Sequence, residues 1–255
     1  MIEEYFSDVE NIVRFEGNQK KSIESVISFI QKLKNYDRPD AYSIIDDTAL
    51  IIEHFEFDST YSNKKGSENR QELARVERNF EEKISKCKMN NGETMMIHDE
   101  MFVTHTTENY INNAMRVFDN HYKKIDEYKT NLFKKGEVKD IKTIKTMFWI
   151  EDTTIFGNIF MTKDKGYNES VKPLILLYCD EFLNKLSNCN NLNYIFFFSH
   201  YGNEKNIWFL DLDFIDAYKG KQIITSEIEI IDFSSHTTGF VTVLSENEVK
   251  KCNLK

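Results

Sequence analysis

Arg38-Pro39-Asp40-Ala41-Tyr42-Ser43-Ile44-Ile45-Asp46-Asp47-Thr48-Ala49-Leu50-Ile51-Ile52-Glu53-His54-Phe55-Glu56-Phe57-Asp58 is the stretch on which the fold turns. Residues 41–45 and 48–58 are rich in β-branched and aromatic side chains, and Asp46-Asp47 between them has the composition of a tight turn, so the segment reads as a β-hairpin. Pro39 steers its predecessor away from the helical region, which suits the entry to a strand. Side chains alternate along a strand, so Ile51, Glu53, Phe55 and Phe57 share one side while Ile52, His54, Glu56 and Asp58 share the other. Phe55 and Phe57 belong in a core. Glu53 is thereby drawn to a buried side, where a carboxylate needs a cation or a donor. His54, Glu56 and Asp58 form a hydrophilic row that suits either metal ligands or a solvated face.

Working outward, Ile23, Val26, Ile27, Ile30 and Leu33 recur at helical spacing and predict an amphipathic helix over 19–34. Downstream of the hairpin, 59–66 is polar, Ser67 is a good N-cap, and a helix is expected to about residue 88 with Leu73, Val76, Phe80 and Ile84 inside. A second long helix is expected over 106–133, its apolar positions stepping by three or four from Ile111 through Phe118 and Tyr128 to Leu132. Together the two predict an antiparallel arm inserted into a sheet domain. Strands resume at 146–150 and 153–160 about a Glu151-Asp152 turn that echoes Asp46-Asp47. Pro173 opens a helix to residue 186, apolar nearly all round, and strands follow at 194–198, 207–215, 223–231 and 239–244, with a turn at Gly202-Asn203. The class is α+β: a mixed sheet core from 1–66 and 140–245, a helical arm from 67–139 and a tail from 246–255.

The formal net charge of −9 disfavours long-range attraction of a polyphosphate, yet Lys123, Lys124, Lys129, Lys134, Lys135, Lys139, Lys142 and Lys145 outnumber the acids around them. This cluster suits a solvated helix end or a phosphate-facing patch. Cys87, Cys179, Cys189 and Cys252 lack the spacing of a zinc site and read as free thiols in a reducing compartment. No apolar run nears the roughly 18 residues needed to span a bilayer. A soluble, cytoplasmic protein is expected. His98, His105, His121, His200 and His236 are scattered, and Asp211, Asp213 and Asp216 fall on an expected strand where a half-exposed sheet face accounts for them.

Two acids on adjacent strands are the minimum for holding a hard divalent cation. Asp40 opens one strand, Glu53 lies on its partner, and Asp46-Asp47 is midway between them. In this order of helix, Pro39-Asp40 and strand-borne Glu53, followed by further strand, helix and strand to about residue 200, the chain resembles the PD-(D/E)XK, restriction-endonuclease-like superfamily. The resemblance implies a mixed sheet flanked by helices, a site built on Asp40 and Glu53, Glu24 as an accessory acid, Mg²⁺ or Mn²⁺ as cofactor, and DNA or RNA as substrate. It also implies the setting of a restriction or phage-defence system. The departure from the family pattern is at Phe55, where the family carries a lysine that helps position and activate water.

Three resolutions stand open. A lysine such as Lys64 or Lys65 comes from elsewhere; the site uses the other strand face, with Glu56 as a catalytic acid and Asp58 as a ligand alongside Asp40; or catalysis is lost and the binding shape kept. The functional expectations are accordingly a metal-dependent phosphodiester hydrolase, or a non-catalytic protein that binds a partner or a second copy through the helical arm.

Overall fold

The hairpin of residues 41–57 forms as its alternation predicts, and it lies inside a larger sheet. The computed structural model describes residues 12–14, 20–63, 66–86, 94–103, 106–134, 140–154, 160–162, 166–167, 176–201, 204–217, 228–230 and 233–242. In chain order the elements are β1 (Ile12–Arg14), α1 (Lys20–Ile30), β2 (Lys34–Asn35), β3 (Ala41–Ile45), β4 (Thr48–Phe57), β5 (Ser62–Asn63), β6 (Gly66–Ser67) and α2 (Glu68–Lys86). Then come β7 (Thr94–Val103), α3 (Thr107–Tyr122), α4 (Ile125–Lys134), β8 (Thr143–Asp152), β9 (Phe160–Thr162), β10 (Gly166–Tyr167) and α5 (Asp180–Leu186). The chain continues through β11 (Tyr194–Tyr201), β12 (Glu204–Asp211), β13 (Ile228–Ile230) and β14 (Phe233–Thr242), with 3-10 turns at Leu176–Tyr178 and Leu212–Ala217. Two units result: Met1–Ser59 with Thr107–Ile230, and Thr60–Thr106 with Ile231–Lys255.

The first unit is built on a seven-stranded mixed sheet of order β1-β12-β11-β8-β4-β3-β2. β3 and β4 are antiparallel, joined by a turn in which Asp46 takes the left-handed φ of 54° that aspartate tolerates better than most residues. β4, β8 and β11 are mutually parallel, and β12 returns antiparallel to β11. Parallel neighbours need crossovers, and here they are helical: α3 and α4 follow β4, and α5 precedes β11. Tyr110, Phe118, Tyr128, Leu132 and Phe182 from those helices pack with Phe55, Phe57, Phe148, Ile150 and Phe197 on one sheet face. Ile23, Val26 and Ile30 of α1 pack with Leu50, Ile52, Met147, Trp149 and Phe196 on the other. Each large apolar side chain fully buried in this way contributes about 1.5–3 kcal/mol.

In the second unit β7 and β14 pair antiparallel over ten residues each, and α2 packs on β7 through Val76 and Val103. Ser67 caps α2 as expected, its Oγ accepting the Arg70 N–H at 3.3 Å.

Several expectations are revised. The antiparallel arm over 67–139 is replaced by helices in different units: α2 belongs to the second, while α3 and α4 lie on the sheet of the first. A three-or-four periodicity states that a helix face is buried and not what buries it, and a sheet face served here. The expected single helix over 106–133 breaks at Lys123-Lys124 into α3 and α4. Leu73 and Ile84 of α2 are exposed. The turn expected at Glu151-Asp152 is not there, because these residues end the ten-residue strand β8, and 155–159 of the expected second strand lie outside the described residues. Asp211 closes β12, and Asp213 and Asp216 stand on the 3-10 turn after it. Arg38 has a φ of 61°, in the left-handed region and not the extended one. β7, unforeseen, carries a ten-residue strand. Cys179 and Cys189 are free and buried. Lys64, Lys65, Cys87, Cys252, the Gly202-Asn203 turn and the 246–255 tail lie outside the described residues. Among the described residues no helix is long and apolar enough to cross a membrane.

Candidate functional site

Because β4, β8 and β11 run parallel, their carboxyl ends share one sheet edge, and antiparallel β3 begins there too. Such edges are where open α/β sheets bind ligands. The sequence loads this one with Asp40, Glu53, His54, Glu56, Asp58, Glu151 and Asp152.

Asp40 is presented by a closed loop. The Tyr36 N–H donates to the Asp40 carbonyl at 2.8 Å, the Tyr36 hydroxyl donates to the Asn131 carbonyl at 2.9 Å, and Asn131 Nδ2 donates to the Arg38 carbonyl at 3.3 Å. The left-handed turn at Arg38 costs about 1–2 kcal/mol, and α4 holds it through Asn131. Asp40 Oδ2 accepts the His54 backbone N–H at 2.7 Å. Burial raises the Asp40 pKa and the Glu53 charge raises it further, against the opposing His54 amide and the two nearby histidines, His54 and His121. By extension of the hairpin register Asp40 stands opposite Glu53, and the two charges act on each other.

Glu53 is 7% exposed. Its Oε1 accepts the Tyr128 hydroxyl at 2.7 Å and lies 2.9 Å from His121 Nδ1. Its Oε2 is buried with no hydrogen-bond partner among the described residues. The His121 ring stacks on Phe55, centroids 4.5 Å apart and planes 16° from parallel. Burial and then Glu53 push the Tyr128 hydroxyl up, so Tyr128 acts as a donor.

One residue along β4, the side chains face α1. His54 stands edge-on to Trp149, and the parallel register sets Glu56 beside Glu151. His54 Nε2 is 3.1 Å from Glu151 Oε2, and one donor atom from each of His54, Glu56 and Glu151 lies within 4.8 Å of the other two. These three residues could hold a metal ion. Burial works to lower the His54 pKa, but the Glu151 hydrogen bond and the charges of Glu151, Glu56 and Asp40 outweigh it and leave it raised.

At the end of β8, Asp152 is fully buried. Its Oδ1 accepts the Thr154 N–H at 2.9 Å and its Oδ2 accepts the Tyr110 hydroxyl at 2.8 Å, while Tyr110 Oη accepts the Leu176 N–H at 3.1 Å. Burial, with the charge of Asp58 adding to it, pushes the Asp152 pKa up to about 7.

The residues expected from the sequence are thus distributed over three places. Asp40 and Glu53 stand opposite each other by extension of the β3–β4 register. Glu56 joins His54 and Glu151 on the opposite face of β4, and buried Asp58 stands within range of Asp152, its carbonyl accepting Asn113 Nδ2 at 2.9 Å. Glu24 is exposed on α1, the helix that covers the face away from Glu53. Of the lysine cluster, Lys142 pairs with Asp47 at 2.9 Å and Lys145 donates to Tyr194 Oη at 2.7 Å. His121 and Tyr128 are not among the site residues expected from the sequence, and Glu151 is expected only as part of a turn. Glu151 would have been found by continuing β8 through residue 152, since a strand parallel to β4 brings it alongside Glu56. His121 ends α3 and Tyr128 lies on α4, across the break at Lys123-Lys124, and nothing in the sequence aims either at Glu53. Comparison with protein-family models, with curated proteins and with solved structures finds no match to this chain.

Proposed function

We propose that the chain is a divalent-cation-dependent phosphodiester hydrolase that grips its ion between Asp40 and Glu53. The observation that carries this reading is Glu53 Oε2, a buried carboxylate oxygen without a hydrogen-bond partner among the described residues, opposite a second carboxylate. Leaving such an atom desolvated and unpaired costs about 1–3 kcal/mol or more, and an oxygen-loving cation removes that cost. Asp40 and Glu53 supply hard oxygen donors of the kind Mg²⁺ or Mn²⁺ takes. The chemistry such an ion supplies when bound is charge that shields a phosphate and acidifies the attacking water.

The chain's own residues do the rest. Tyr128 and His121 hold Oε1, which leaves the buried Oε2 as the oxygen that meets the ion. The His54 amide holds Asp40, and the Tyr36–Asn131–Arg38 bonds hold the loop that presents it. His121, fixed by stacking on Phe55, is the proton-accepting group that position 55 itself lacks. The test is incubation of the full chain with single- and double-stranded DNA and RNA, with Mg²⁺, Mn²⁺ or chelator. Cation-dependent cleavage that Asp40→Asn and Glu53→Gln abolish is the expected result. No cleavage of any substrate with either ion overturns it.

A non-catalytic, partner-binding protein is the second reading, favoured by Phe55 in the lysine position and by the net charge of −9. A defined complex that forms equally well with Asp40→Ala and Glu53→Ala supports it.

A further inference from the structure

We infer that His54, Glu56 and Glu151 form a second cation site, selective for a divalent transition metal such as Zn²⁺, on the α1 side of β4. The inference does not rest on the hydrolase reading. One imidazole nitrogen with two carboxylate oxygens is a donor set that Mg²⁺ and Ca²⁺ use poorly and that borderline ions take readily. Around an ion with bonds of about 2.1 Å the donors stand roughly 3–4 Å apart. His54 Nε2 and Glu151 Oε2, at 3.1 Å, already have that separation, and Glu56 completes a triangle with no side longer than 4.8 Å.

The triangle is set by backbone, which distinguishes it from a chance meeting of surface groups. His54 and Glu56 are two residues apart on one strand, so they project from the same face. The parallel register with β8 places Glu151 next to Glu56 and Trp149 next to His54. Trp149 meets the imidazole edge-on and the His54 N–H is bonded to Asp40, so both ends of the histidine are held. Glu151 is buried and Glu56 exposed, which gives the ion a fixed floor and a solvent side on which water completes its coordination.

The site is not the second half of a two-ion centre with Asp40 and Glu53. Paired catalytic ions lie about 3.5–4 Å apart and share ligands, whereas Glu53 projects toward α3 and α4 and His54 toward α1, with the strand between them. His54 nevertheless belongs to both, through its side chain on one face and through its N–H, which donates to Asp40 in the plane of the sheet.

Titration calorimetry of the full chain with Zn²⁺, in a buffer already saturating in Mg²⁺, tests the assignment, with circular dichroism confirming that each variant is folded. Zn²⁺ binding should persist under Mg²⁺, weaken about tenfold or more in His54→Gln, Glu151→Gln and Glu56→Gln, and be retained in Glu53→Gln. Glu56 is exposed, so its variant reports on the site even where a buried change disturbs folding. Unchanged Zn²⁺ affinity in Glu56→Gln and His54→Gln, or displacement of Zn²⁺ by Mg²⁺, overturns the inference. Nuclease assays with Mg²⁺ alone test the Asp40–Glu53 site separately, so the two readings fail independently.

Discussion

On the α3–α4 side of β4, Glu53 is enclosed by Tyr128, His121 and Phe55, whereas one residue further along, toward α1, His54 and Glu56 stand beside Glu151 with Glu56 open to water. The first arrangement satisfies one oxygen with two neutral-capable donors and strands the other. The second brings an imidazole between carboxylates at the margin of the core. What differs is the roof: three crossover helices deliver long aromatic and polar side chains onto the first face, while the single helix α1 covers the inner part of the second with Ile23, Val26, Ile30 and one aromatic ring, Phe29. A sheet edge can thus host a dry site and a wet one, back to back, from consecutive residues.

The largest expected difference between the faces is in packing. Phe118 is fully buried among Phe148, Tyr122 and Phe182, and Phe118→Ala should cost about 3–5 kcal/mol by denaturant unfolding. Under the smaller roof the matching truncation, Ile23→Ala, should cost less, about 2–3 kcal/mol. Equal losses would mean that the two roofs carry the fold alike.

Close behind comes the buried acid at the end of β8. Asp152 has a folded pKa near 7 against an ordinary 3.8, so the unfolded chain releases this proton first as pH rises. The contribution is fully present below about pH 4 and lost as pH climbs through 7. At about 1.4 kcal/mol per pKa unit, it amounts to about 4 kcal/mol. In chelator-containing buffer, wild-type stability should therefore fall relative to Asp152→Asn between pH 4 and pH 8. Parallel pH profiles for the two proteins would remove Asp152 as the cause.

A smaller effect is expected at Glu53 itself. Tyr128→Phe removes one of its two donors and should cost about 1.5–3 kcal/mol in the metal-free protein, read by thermal unfolding. Smallest of all, Glu56→Gln on the wet side should change metal-free stability by less than about 0.5 kcal/mol, while abolishing any stabilisation by Zn²⁺. A large loss in the absence of metal would show that Glu56 serves the fold.

The hairpin, the first helix and the pairing of Asp40 with Glu53 were legible because each is local: alternation, helical spacing and one turn fix them within twenty residues of chain. The rest required knowing which elements meet. The apolar seam of α3 and α4 is the same whether a helix or a sheet receives it, so an arm and a roof were equally written there. Ile45-Asp46-Asp47-Thr48 and Ile150-Glu151-Asp152-Thr153 look alike, yet the first turns and the second runs on as strand, because β8 has parallel neighbours on both sides, whose ladders carry it through Asp152. That misreading concealed Glu151. His121 and Tyr128 reach Glu53 across sixty-eight and seventy-five residues of sequence, a distance over which spacing carries no information.

The two-residue connection at Asp46-Asp47 locks Ile45 opposite Thr48 and Ala41 opposite Ile52. Since the pleat repeats every second residue, lengthening that connection by one would slip the ladder and rotate every side chain beyond it to the reverse surface. Glu53 would then look at α1, and His54 at the aromatic vault that Glu53 had left. Any residues that a left-handed corner accepts would therefore serve in the connection, while their number is fixed by the pleat.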